Sequence, residues 1–132
     1  MSQENVELVR RLMEVWDRGD NEALNALAEG RVAPDFELDP LYLDRVYKGD
    51  EARQLGADIA GVWEDYRATT EEVVDLGAHV LMVRHITARG AIGGVPVDFR
   101  IFILVHFEGE IAVWAKSFRT RQEALDAAGL RE

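Results

Sequence analysis

The chain of 132 residues contains no cysteine. That excludes a disulfide framework, a thiolate nucleophile and any thiolate metal ligand. Positive charge is in short supply: 15 Lys and Arg stand against 25 Asp and Glu, for a formal net charge of −10. A surface this acidic repels phosphate backbones, so no nucleic-acid partner is expected. Long apolar runs are missing as well. The longest, Ile101-Phe102-Ile103-Leu104-Val105, is far short of the roughly 20 residues a membrane span requires. Gly90-Ala91-Ile92-Gly93-Gly94 lacks the lysine and the strand-to-helix setting of a phosphate loop. No serine carries the flanks of a nucleophile elbow. The opening residues lead straight into an amphipathic pattern rather than a charged-then-apolar leader. The expectation is a soluble, cytoplasmic protein with no cofactor, no metal and no membrane partner.

What is present points to a single domain spanning 1–132. Hydrophobic residues make up 48% of the chain, too many for a disordered acidic tail. Val6, Val9, Met13 and Trp16, with Leu12 beside them, recur at helical steps and predict a helix from Gln3 to Arg18. Ser2 suits its cap, and Gly19 suits the left-handed position past its end. Asp20 then caps a shorter helix carrying Ala23, Leu24, Leu27 and Ala28. Phe36 and Leu38 alternate with Glu37 and Asp39, as in a short strand that Pro40 ends. Arg45-Val46-Tyr47 reads as another short strand. A third helix is predicted from Asp50, with Ala52, Leu55, Ile59 and Trp63 as its stripe, although Gly56 and Gly61 weaken it.

The remainder reads as four long strands: Tyr66 to Leu76, His79 to Arg89, Val95 to Phe107 and Glu110 to Arg119. Their short glycine-bearing connections suit antiparallel neighbours. Thr120-Arg121-Gln122-Glu123 has capping-box spacing and opens a last helix with Ala124, Leu125 and Ala128. Helices followed by an antiparallel meander make an α+β domain with a strongly curved sheet.

Four strings carry a resemblance: Asn5-Val6-Glu7-Leu8-Val9-Arg10, Trp16-Asp17-Arg18-Gly19-Asp20, Tyr47-Lys48-Gly49, and Glu123-Ala124-Leu125-Asp126-Ala127-Ala128-Gly129-Leu130. In this order they resemble SnoaL-like proteins of the nuclear transport factor 2-like superfamily, which also holds ketosteroid isomerase and scytalone dehydratase. The resemblance covers nearly the whole chain. It implies a cone, with a curved antiparallel sheet wrapped around N-terminal helices and an apolar pocket inside. It also implies a homodimer, and functions from polyketide cyclisation and isomerisation to plain ligand binding. Fold leaves function open.

Leu38-Asp39-Pro40 resembles the place where ketosteroid isomerases keep their general base. An aspartate beside apolar walls acquires a raised pKa suited to proton transfer. Two other parts of that machinery are missing: the resemblance puts Leu12 and Ile103 where the oxyanion donors would stand. It also puts Trp114, Lys116 and Phe118 on the inner face of the last strand and Arg84 with Ile86 on the inner face of another. Lys116 or Arg84 would then be the electrostatic partner of Asp39, or would close an ion pair with it. Trp16, Tyr42, Tyr47, Trp63, Trp114 and Phe118, with Leu12, Ile101 and Ile103, are the candidate lining for a small hydrophobic ligand. His85 and His106 fall on the convex face in this register, and His79 sits at a turn with no partner in view. Phe102 and Leu104 leave an apolar strip on the outer face, for which a second copy is the simplest cover. Two functions fit: a cofactor-independent isomerase, cyclase or dehydratase working through Asp39, or a non-catalytic ligand-binding or dimerisation module.

Overall fold

The computed structural model describes residues 2–130, without the Ser2 side chain. The Ser2 cap and the ends of the 1–132 domain span therefore lie outside the described residues. Helix α1 (Ser2–Asp17) and helix α2 (Asn21–Ala28) meet at a corner where Gly19 has φ +72° and the Asp20 carboxylate accepts from the Ala23 N–H at 3.0 Å. Strand β1 (Val32–Asp39) ends at Pro40, as its missing N–H requires, and strand β2 (Tyr47–Lys48) follows. A 3-10 turn (Gly49–Gln54) leads into helix α3 (Leu55–Val62). Strands β3 (Trp63–Asp75), β4 (His79–Gly90), β5 (Pro96–Glu108) and β6 (Ile111–Phe118) form the meander. Helix α4 (Arg121–Ala127) closes the description, with the Thr120 hydroxyl and Glu123 carboxylate forming the capping box.

Several expectations change. The short strand expected at Arg45–Tyr47 is Tyr47–Lys48, and the helix expected from Asp50 is a 3-10 turn until Leu55. Trp63 does not extend the third helix stripe; it starts β3, after a helix of only 8 residues that contains Gly56 and Gly61. The six-stranded sheet, ordered β2-β1-β6-β5-β4-β3, is mixed rather than wholly antiparallel, because β1 joins β6 in parallel.

Each face of the sheet has its own apolar cluster. On the inner face Val80, Met82, Val105, Phe107, Ala112 and Ala115 pack against Leu8 and Val9 of α1, with Leu12, Met13, Phe36, Leu38 and Ile103 around them. On the outer face Leu81, Leu104 and Ala124 form the centre, with Phe102, Trp114, Phe118, Leu125 and Ala128 around them. Leu104 is thus buried beneath α4 of the same chain, with Phe102 half-buried beside it.

A bulge decides which side chains belong to which cluster. Phe107 stands opposite Ala112, but His106 stands opposite Trp114, so β6 carries one extra residue at this point. One extra residue transfers everything beyond it to the other face. Without it, Trp114, Lys116 and Phe118 would continue the inward side begun by Ala112; with it, Ala115 and Ser117 turn inward and those three turn out.

Gly49, with φ +58°, tests this architecture, since a Cβ there would lie 2.9 Å from the Pro34 carbonyl oxygen of β1. Gly30 has φ +74° and open space around it. Gly30→Ala should cost about 1–2 kcal/mol from the left-handed backbone alone. Gly49→Ala should lower the urea midpoint clearly further, and equal midpoints would mean that the turn and β1 do not meet.

Candidate functional site

Helix α1 runs along the inside of the curved sheet. At one end Asn5 Nδ2 donates to the Gly109 carbonyl at 3.0 Å in the β5–β6 turn. At the other end Asp17 meets Arg84, which projects inward from β4 with its side chain only 4% exposed. The contact is bidentate: Nη2 to Oδ1 at 2.7 Å and Nη1 to Oδ2 at 3.1 Å, and Nη1 also donates to Thr70 Oγ1 at 2.7 Å. A guanidinium out of water needs such pairing, because an uncompensated buried charge costs several kcal/mol.

Next to this pair stands Tyr66 of β3. A bulge explains its direction. Glu64 pairs with Arg89 but Arg67 pairs with Thr87, and the extra residue falls at Asp65, whose φ is +51°. Residues three apart on a regular strand point to opposite faces; here Trp63 and Tyr66 both turn inward. The Tyr66 hydroxyl makes no hydrogen bond with the described residues. Burial raises its pKa above the ordinary phenol value, Arg84 opposes that shift and the Asp17 carboxylate adds to it, so the group is a neutral donor at pH 7.

Packing is tight at one end of the cone and loose at the other. Val105 and Phe107 of β5 are buried, whereas Ile103, Ile101 and Phe99 on the same inward side are half-buried. Trp16, Trp63 and Tyr66 share that state. Tyr42, 47% exposed and with φ +69°, meets Phe99 edge-on with centroids 5.1 Å apart, and Trp63 lies 6.0 Å from Phe99. Helix α3 bridges the two edges of the sheet: it runs directly into β3, while Asp58 on it accepts a hydrogen bond from the Tyr47 hydroxyl of β2. No residue of α3 is buried, although Leu55, Ile59 and Val62 are apolar. A cleft of about 360 Å³ lies between the 43–47 segment and α3. A groove of about 740 Å³ lies between the N-terminal half of α1, Leu27, Arg31 and Asp75, with Glu4, Glu7 and Arg11 giving it mixed charge.

Of the residues singled out by sequence, Arg84, Trp16, Trp63 and Ile101 gather at the loose end, with Tyr42 on its rim. Leu12 and Ile103 belong to the packed cluster around α1. Tyr47 is fully buried and committed to Asp58. Asp39, Lys116, Trp114 and Phe118 are corrections. Leu38 pairs with Ala115 on the inner side, and Asp39 with Lys116 on the outer side, where Lys116 Nζ is 3.8 Å from Asp39 Oδ2. Asp39 and Ile103 therefore lie on opposite faces, and Arg84 takes Asp17, not Asp39, as its partner. Tyr66 was not legible in the strand alternation, since the bulge that aims it leaves no compositional mark. His79 does have a partner: it stands directly opposite His106, and burial, then the charge of His106, hold its pKa below the ordinary imidazole value.

The chemistry available at the loose end is limited. Both Asp17 oxygens are held by Arg84, and Asp58 accepts from Tyr47 and Gln54, which hold its pKa below the ordinary carboxylate value. A carboxylate lowered in this way, as Asp58 is, is a poor base. The polar group left for chemistry beside this ion pair is the Tyr66 hydroxyl, a neutral donor.

No family model and no curated protein matches the sequence. Solved structures do. A nuclear transport factor 2-like protein from Burkholderia thailandensis E264 is 18% identical, with a TM-score of 0.74 over 95% of each chain. A protein from Jannaschia sp. CCS1 designated a SnoaL-like polyketide cyclase is 19% identical, with a TM-score of 0.68 over 96% of this chain and 92% of that one. A hypothetical protein from Catenulispora acidiphila DSM 44928 with a ketosteroid isomerase-like fold, in complex with trimethylamine, is 17% identical, with a TM-score of 0.68 over 95% of this chain and 94% of that one. The fold is that of nuclear transport factor 2-like, SnoaL-like and ketosteroid isomerase-like proteins, an α+β cone.

Two measurements follow from the polar cluster. Asp17→Ala strands a buried guanidinium and should cost about 3 kcal/mol in urea unfolding; Arg84→Met leaves only a carboxylate already 36% exposed and should cost clearly less. In an alkaline absorbance titration, Tyr47 and Tyr66 should ionise above the ordinary value of 10.0. Because the folded state then holds protons that the unfolded state has released, stability should fall as pH rises beyond about 10.

Proposed function

We propose that the protein binds a small, uncharged, largely apolar molecule at the wide end of the cone, between α1, α3 and the inner face of the sheet, without catalysing a reaction through Asp39. The observation that carries this reading is the burial gradient: Phe99, Ile101, Trp16, Trp63 and Tyr66 all point inward yet remain half-buried. Inward apolar groups still touching water have hydrophobic free energy in reserve, about 25 cal/mol per Å² of apolar surface that a ligand would cover. Charge selects the class of ligand. Asp17 neutralises Arg84 at the base of the site, and the Tyr66 hydroxyl beside them has no hydrogen-bond partner among the described residues. A neutral body with a single acceptor suits that lining, in the usual manner of apolar pockets with few polar groups. The Catenulispora protein's complex with trimethylamine supports small-molecule binding on this fold. The Asp39 chemistry loses its basis, since that carboxylate stands beside Lys116 on the outer face.

The three tryptophans separate the outcomes, with Trp16 and Trp63 at the proposed site and Trp114 outside it. In titrations with 2-naphthol and 9-phenanthrol, the indole N–H signals of Trp16 and Trp63 should shift in proton–nitrogen correlation spectra while that of Trp114 stays still. Tyr66→Phe should weaken binding by up to about tenfold, the value of one neutral hydrogen bond, and Asp39→Asn should leave it unchanged. Shifts confined to Trp114, or none, would refute the assignment.

A further inference from the structure

Away from that site, on the outer face, two imidazoles meet. His79 opens β4 and His106 lies near the end of β5, directly opposite it in the antiparallel register. His106 Nδ1 and His79 Nε2 are 3.1 Å apart, and the ring centroids are 4.6 Å apart. The hairpin fixes this geometry, because the Leu76 N–H donates to the His79 carbonyl at 2.9 Å and the Phe107 N–H donates to the Ala78 carbonyl at 2.8 Å. Trp114 of β6 stacks on His106 with centroids 5.3 Å apart and planes 24° apart, and its ring is 5.7 Å from His79. Both histidines are half-buried, so the pair is placed by packing yet open to solvent.

We propose that His79 Nε2 and His106 Nδ1 form a two-imidazole site for a divalent transition-metal ion, with Cu²⁺ preferred. The spacing fits: bonds of about 2.0–2.1 Å from a shared ion to nitrogens 3.1 Å apart subtend an angle of about 95–102°. That lies between the cis angle of a tetragonal site and the tetrahedral angle. In the hydrogen bond between the rings one of the two nitrogens carries the proton, and a shift of that proton to the other nitrogen of its ring frees both lone pairs for an ion. The tautomers protonated on His79 Nδ1 and His106 Nε2 present both lone pairs to the ion. Water completes the coordination, since among the described residues no group of three His, Asp or Glu is assembled. The net charge of −10 favours a cation, and imidazole donors place Cu²⁺ above Zn²⁺ in affinity.

The test uses the full chain without an added histidine tag, titrated separately with CuSO₄ and ZnSO₄ and followed by calorimetry and tryptophan fluorescence. One equivalent of Cu²⁺ should bind, with Zn²⁺ weaker, and the fluorescence quenching should vanish in Trp114→Phe. His79→Gln and His106→Gln should each lower the affinity at least tenfold. His85→Gln, which removes an imidazole bonded to Asp98 instead, should have no effect. The paramagnetic resonance spectrum of the Cu²⁺-loaded wild-type chain should show coupling to two imidazole nitrogens, a readout independent of any variant. Full affinity in both glutamine variants, loss of binding in His85→Gln, or coupling to other than two nitrogens would overturn the site.

Discussion

A guanidinium held out of water constrains this molecule more than any other group. Arg84 sits on the inner face of β4, one strand from the sheet edge formed by β3, and its charge has to be met where it is. The last residue of α1 meets it through both carboxylate oxygens. That contact sets how far α1 can slide along the sheet and how it can roll, since a shift of one residue would withdraw Asp17 from the fork. With α1 fixed at this end, and tied through Asn5 to the Gly109 turn at the other, Leu8 and Val9 fall onto Val80, Met82, Val105 and Phe107. The packed end of the cone thus owes its alignment to a polar contact at the loose end.

The elements themselves were largely visible in the residues. Helical spacing in 3–18, the alternation of the meander, Gly19 at its corner and the Thr120–Glu123 capping box all describe local physics, and local physics is written locally. Side-chain direction was harder. Trp114, Lys116 and Phe118 share one side of β6, yet which side depends on a single extra residue between Ala112 and Trp114, and a bulge has no distinctive composition here. The same holds for Asp65, which turns Tyr66 inward with Trp63. His79 and His106 are 27 positions apart, and only the register of β4 against β5 brings them together.

Asp39 teaches a different lesson. Phe36 and Leu38 already announce the buried side of β1, and a residue next to Leu38 on a pleated strand must face the other way. Resemblance to an enzyme with its base in this stretch pointed inward; alternation pointed outward, and the pairing of Asp39 with Lys116 follows the alternation. Where a family analogy and the period of a strand disagree, the period is the physical constraint and the analogy is not. What the cone contains in place of that acid is the Tyr66 phenol beside the paired Arg84 and Asp17.

Helix α3 closes the gap between the sheet edges while burying none of its own residues. Cohesion resides elsewhere, in the clusters around α1 and under α4. Apart from Asp58, which holds the buried Tyr47 hydroxyl, substitutions along α3 consequently carry little energetic penalty for the scaffold, and the residues at the opening can change while the frame beneath it persists.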